Sequence, residues 1–143
     1  MRVFFTDAFR SQNLTFTAPR PGDAGYDLYA LESATLASGG RALIPTGLHI
    51  EISDGYVGLI KDRSSMAVAG IHTMAGVIDS SYRGELKILL LNTNPIDYVV
   101  KTGQKIAQLI VVPYHANPVE VVDQLEHLTV SDRGLGGFGS TGQ

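Results

Sequence analysis

The feature that most constrains this chain is a beat of apolar run and turn that recurs about every ten residues along most of its length, the spacing of a sandwich or barrel. "GLHIEI" (47–52) alternates apolar and polar residues. "YVGLIK" (56–61), "ELKILLLN" (85–92), "YVV" (98–100), "KIAQLIVVPY" (105–114) and "PVEVV" (118–122) are rich in Val, Ile, Leu and Tyr. Such residues suit a pleated, half-buried surface. Between the runs stand Pro21-Gly22, Gly39-Gly40, Ser53-Asp54-Gly55, Asn94-Pro95 and Thr102-Gly103, each a turn signal. No window sustains a helical period. The one place for a short helix is "SSMAVAG" (64–70), with Ser64 as its N-cap. The expectation is an all-β domain. "LLL" (89–91) and "LIVV" (109–112) lack alternation and read as strands buried on both faces, by layered sheets or by other subunits.

The chain has 143 residues, 44% of them hydrophobic and 17% charged, so a single domain can bury a core. Its net charge of -3 argues against a broad nucleic-acid-binding face, while leaving room for local basic pockets. Without cysteine there are no disulfides, no thiolate chemistry and no Cys-ligated zinc. "MRVFFTDAFR" holds no apolar run of signal-peptide length, and nothing approaches the ~18 apolar residues of a membrane span. The expectation is a soluble, intracellular, cytoplasmic protein that contacts no membrane.

Three internal stretches carry candidate chemistry. "DRSSMA" (62–67) sets Arg63, Ser64 and Ser65 at the end of a strand and the start of a helix. Guanidinium, hydroxyls and backbone N–H groups together suit an anion such as phosphate, although the same stretch serves equally as a capped surface turn. In "AGVIDSSYRGELK" (75–87) the apolar Val77 and Ile78 lead to Asp79, where the run breaks. A carboxylate at the mouth of an apolar hairpin can act as a general base towards water, or simply close an Asx turn. "DAGYDLYA" (23–30) presents Asp27, a possible partner for a hydrated Mg²⁺, which needs few protein ligands, or a plain strand-end charge. His49, His72, His115 and His127 have no metal-ligand spacing.

The chain closes on "SDRGLGGFGSTGQ" (131–143), in which five of the nine residues from 134 to 142 are glycine. "GLGGFG" matches the dinucleotide fingerprint formally, but no helix or downstream acid can follow. Glycines do let backbone N–H groups approach an anion, Ser140 and Thr141 add hydroxyls, and Arg133 adds a fork of donors. Phe138 offers a face on which a base stacks. Extended, such a tail spans on the order of 45 Å, enough to cover a ligand on a neighbouring subunit.

In the order AGYDL (24–28), RSSMA (63–67), GVIDSSYRG (76–84), GQKIAQL (103–109) and RGLGGFGSTG (133–142), these stretches resemble the five motifs of the homotrimeric deoxyuridine triphosphatases. The resemblance implies a distorted jelly-roll β-barrel or sandwich over residues 1–130, with one short helix, and a flexible nucleotide-covering arm over 131–143. It implies a dUTP diphosphatase that yields dUMP and pyrophosphate, removing dUTP from the nucleotide pool and supplying dUMP for thymidylate synthesis. Asp79 would be the base that activates the attacking water. Asp27 would act through the water shell of a Mg²⁺. Arg63, Ser64 and Ser65 of a second subunit, with Gln108, would grip the phosphates. Tyr82 would lie under the deoxyribose, the backbone between Thr73 and Asp79, Val77 and Ile78 included, would read the uracil edge, and Lys87 would be a further substrate-binding residue. Arg133, Gly139, Ser140 and Thr141 of a third subunit would close over the γ-phosphate, with Phe138 on the base. The implied partners are dUTP and two further copies of the chain.

Three positions depart from the family pattern. Ser81 replaces a common aspartate, Asp62 stands where proline or alanine is usual, and Thr73 where asparagine is. The related dCTP deaminases place a glutamate where this chain has Leu89. A non-catalytic nucleotide-binding module and a structural jelly roll are the other rivals; the first has no need of Asp79, and the second leaves the glycine tail unexplained.

Overall fold

A computed structural model describes residues 1–131; Arg133, Phe138, Gly139, Ser140 and Thr141 lie outside the described residues. One antiparallel sheet is ordered β1 (Arg2–Phe5), β4 (Arg41–Glu51), β8 (Glu85–Asn92), β6 (Ile71–Met74). A second is ordered β2 (Tyr26–Tyr29), β10 (Lys105–Pro113), β5 (Tyr56–Asp62), β7 (Val77–Ile78), and β3 (Ala34–Leu36) pairs with β9 (Tyr98–Val100). The all-β expectation holds, with the strands at 85–92 and 98–100 bounded as their composition predicts.

The core follows the period of two. On β8 the side chains of Leu86, Ile88 and Leu90 are buried, and they meet Ile44, Leu48 and Ile50 from β4 and Ile60, Ile106 and Leu109 from the second sheet. Each such side chain contributes roughly 1.5–3 kcal/mol on burial. Leu89 and Leu91 point the other way and are only half-buried, as are Ile110, Val111 and Val112. Burial on both faces is therefore incomplete within one chain.

Other expectations are corrected. "PVEVV" forms no strand, and Val119 and Val121 are 88% and 89% exposed, because β-propensity without a partner edge fixes nothing. The short helix is joined by another, α1 (Asp7–Ser11), where the Thr6 hydroxyl accepts the Phe9 N–H at 3.3 Å and Phe9 is buried. That cap was legible in "TDAF". The expected helix, α2 (Ser64–Val68), takes Arg63 as its N-cap residue, with no side-chain capping bond; Ser64 is already helical. A single 3₁₀ turn covers Leu125–His127.

Two irregularities set up the candidate site. The β4–β8 register shifts between Pro45 and His49, around Gly47 at φ 72°. Inside this bulge the buried Thr46 hydroxyl donates to Leu86 O at 2.6 Å, and the Glu85 carboxylate accepts the Gly47 N–H at 2.9 Å. The link from β6 to β7 passes through Ala75 at φ 62° and Gly76 at φ 114°. Left-handed backbone at a non-glycine residue is uncommon and costs of order 1–3 kcal/mol, so the surroundings must impose it.

Candidate active site

Strand pairing brings together candidates far apart in sequence. β10 lies between β2 and β5, with Gln108 opposite Asp27 on one side and Ala107 opposite Asp62 on the other. Arg63 follows directly on β5, and its Nε stands 3.0 Å from Asp27 Oδ1. Lys105 Nζ stands 2.7 Å from Asp27 Oδ2, and this partner, a hydrogen bond first and a charge second, raises the lysine above its ordinary pKa. Gln108 Nε2 donates to Asp62 O at 2.9 Å, while its amide carbonyl lies where a Cβ on Gly25 would have to be. A Cβ at Gly25 would push that amide aside, so glycine suits the close approach.

These residues line two polar hollows. One of about 400 Å³ holds Gly22, Asp23, Asp27, Arg63, Ser64 and Gln108. The other, about 500 Å³, includes Arg20, Asp27, Arg63 and Lys105. Ser65 sits beside them on α2. Lys105 and Arg20 were not singled out from sequence, since only the β2–β10 pairing reveals that Lys105 faces Asp27.

Asp79 stands not on a hairpin, as the sequence suggested, but in a turn that carries the chain from β7 in the second sheet to β8 in the first, because β7 pairs with β5 and β8 with β4 and β6. Its carbonyl accepts the Tyr82 N–H at 3.1 Å, and Arg83 Nη1 donates to Ser80 O at 2.6 Å and to Tyr82 O at 2.8 Å. The Tyr82 hydroxyl donates to Glu85 O at 2.8 Å. Asp79 is exposed and lines a hollow of about 400 Å³ with Val77, Ser80, Ser81, Tyr56 and Tyr114. Beyond the turn, Ile78, Tyr82 and Lys87 line a second hollow of about 380 Å³ with Leu43, Glu85 and Leu86, and Lys87 Nζ is 3.8 Å from Glu85. A carboxylate held at such a lip can take a proton from water beside a ligand in either space.

Thr73 belongs to neither group. Its N–H and hydroxyl both donate to Asp62 Oδ1, at 2.6 Å each, and His72 Nδ1 donates to Asp62 Oδ2 at 3.0 Å. Burial alone would raise the Asp62 carboxyl, yet the bonds from Thr73 and His72 outweigh it and hold the pKa below its ordinary value. The Asp27–Arg63–Gln108 hollows and the Asp79–Tyr82 hollows share no lining residue within this chain. No group of three or more His, Cys, Asp or Glu side chains able to hold a metal occurs among the described residues. Nor is any helix among them long and apolar enough to cross a membrane.

An antiparallel sandwich with an arginine–serine turn beside one carboxylate, and a second carboxylate on a braced turn, has the equipment of a hydrolase acting on phosphate compounds. Comparison with known proteins narrows this class. The dUTPase family model matches residues 13–142, so the chain belongs to the dUTPase family. It is 47% identical over 122 residues to the deoxyuridine 5'-triphosphate nucleotidohydrolase of Paramecium bursaria Chlorella virus 1, covering 85% of this chain and 84% of that protein. The enzyme of the same name from Cutibacterium acnes is 44% identical over 127 residues, covering 85% and 81%. Among solved structures, a mutant dUTPase of Staphylococcus bacteriophage 80alpha with dUpNHpp superimposes with a TM-score of 0.86 at 26% identity, covering 99% of this chain and 98% of that one.

Proposed function

We propose that this chain is a dUTP diphosphatase in which Asp79 activates the attacking water. The water oxygen bonds to the α-phosphorus, the bond from that phosphorus to the α,β-bridging oxygen breaks, and the water's proton passes to the Asp79 carboxylate. dUMP and pyrophosphate leave. The observation that carries this reading is Asp79 itself, exposed on a turn locked by Arg83 and flanked by hollows of nucleotide-fragment size. Phosphoryl transfer depends on positioning and charge neutralisation more than on covalent help.

Because the phosphate-type residues and those around Asp79 line separate hollows of one chain, we assign a complete site to a homotrimer. One subunit supplies Asp79, Tyr82, Ile78 and Lys87 from β7, β8 and the turn between them. A second supplies Asp27, Arg63, Ser64, Ser65 and Gln108. The third lends the arm, with Arg133, Gly139, Ser140 and Thr141 on the γ-phosphate and Phe138 on the base. Residues 1–130 form the body and 131–143 the covering arm, acting on the cytoplasmic nucleotide pool.

Uracil is read by main-chain groups between Thr73 and Asp79, Val77 and Ile78 included. The Thr73 N–H, the Gly76 carbonyl and the Asp79 carbonyl are already engaged, as are the groups that pair β6 with β8 and β7 with β5, so the reading falls to those that remain. A donor–acceptor pair that suits uracil meets cytosine's reversed edge with unpaired polar groups, at about 1–3 kcal/mol each. The donor set suits Mg²⁺ only as a hydrated ion: Asp27 shares its hollow with one other carboxylate, Asp23, and is already paired to Arg63 and Lys105, with lone pairs left to accept bonds from coordinated water. Bound so, the ion would neutralise charge on the triphosphate.

Leu89, half-buried on β8, offers no carboxylate at the deaminase position, which favours phosphate over base hydrolysis. Incubation with dUTP and with dCTP, assayed for pyrophosphate and for ammonia, tests this directly. Pyrophosphate from dUTP alone is expected; ammonia from dCTP would overturn the assignment.

A further inference from the structure

We propose that Asp62 is a positioning residue that couples the phosphate-binding turn to the strand leading towards β7 and the Asp79 turn. It ends β5 in the second sheet, and Arg63 is its immediate neighbour. Its carboxylate reaches across to β6 of the first sheet, accepting the N–H and the hydroxyl of Thr73 on one oxygen and His72 Nδ1 on the other. Its carbonyl accepts from Gln108 on β10 at 2.9 Å. One residue thus fixes three strands from both sheets, and a shift of Arg63 is transmitted to Thr73, two residues before the strained Ala75–Gly76 link.

Two departures from the family pattern explain each other here. Proline or alanine at position 62 has no side-chain acceptor, and Thr73 supplies the hydroxyl that Asp62 accepts. With both its donors turned to Asp62, Thr73 holds the backbone in place instead of donating to a base. Hydrogen bonds to a charged acceptor that is only partly exposed are the stronger kind, so the link is stiff enough to set geometry.

The inference rests on the triphosphatase reading, and the two fail differently: inert wild-type protein defeats that reading before any variant is made. With wild type active, steady-state dUTP hydrolysis is compared for D62A, T73V, T73S and the D62A/T73V double variant of the full chain, alongside thermal melting. D62A is expected to lower kcat/KM about 30-fold and T73V about 5-fold, in line with the cost of sub-ångström misplacement. T73S, which keeps the hydroxyl, recovers most of the T73V loss. The double variant is no worse than D62A, since both act through one link. Independent, multiplying losses, a T73S as poor as T73V, or a lower melting point with unchanged kcat/KM would each overturn the proposal. Should D62A not fold, the comparison of T73V with T73S decides.

Discussion

Gly76→Ala tests the idea that backbone geometry aims the catalytic carboxylate. At φ 114° an added Cβ is strained whatever the space, at about 1–2 kcal/mol. It would also stand 2.8 Å from Ile60 Cβ and 3.1 Å from Ile60 O, an overlap of the kind that costs about 1–3 kcal/mol if nothing moves. Relief to an ordinary 3.4 Å contact requires a shift of about 0.6 Å. Ile60 cannot supply it, because it is buried and β5 pairs with β10 from Tyr56 to Asp62. β7 is held to β5 at Gly58–Ile78 and Leu59–Val77 and by the Ile60 N–H on Gly76 O at 2.8 Å, a far shorter ladder than β5–β10, so the turn carrying Asp79 yields. The expected result is divided between stability and activity: a melting point lower by about 3–6 °C and a kcat lower by about tenfold. Calorimetry and pyrophosphate release measure the two. Ala75→Gly is the control, since it relieves a left-handed alanine while loosening the unfolded chain, and stability should change by less than about 1 kcal/mol. A Gly76→Ala enzyme with wild-type kcat and melting point would refute the reasoning.

Asp79→Asn keeps the shape and removes the base; kcat should fall about 10²–10⁴-fold while a non-hydrolysable dUTP analogue still binds, and near-normal turnover would exclude Asp79 as base. Truncation after Asp132 should cripple hydrolysis, and unchanged kcat and KM in the shortened protein would exclude the covering role of the arm. Asp62 has a folded pKa below its unfolded value of about 3.9, so the native state binds fewer protons in that window and stability rises with pH. Its contribution is present above about pH 4 and lost as pH falls through the folded pKa. Melting points from pH 6 to pH 3 should fall more steeply for wild type than for D62N; parallel curves would show that Asp62 is not the group responsible.

The strand runs, the all-β class and the family motifs were legible in the chain, because alternation, turn residues and short motifs are local properties. Several elements escaped for the opposite reason. "PVEVV" has the composition of a strand, but a strand exists only where an edge accepts it, and none does among the described residues. β1 and β3 are short and owe their pairing to β4 and β9. Ser64 looked like a cap because serine favours that position, whereas the chain entering from β5 puts Arg63 there.

The candidate site divides in the same way. Sequence by itself determined which groups are available: a carboxylate at 79, an arginine–serine turn at 63–65, a carboxylate at 27 and a glutamine at 108. Tertiary structure decided their partners. Lys105 reaches Asp27 only because β10 lies beside β2, and Asp62 meets Thr73 only because the end of β5 faces β6 across the two sheets. Hydrogen bonds and ion pairs act over about 3 Å. No distance of that kind can be read from positions ten to eighty residues apart until the strands have chosen their neighbours.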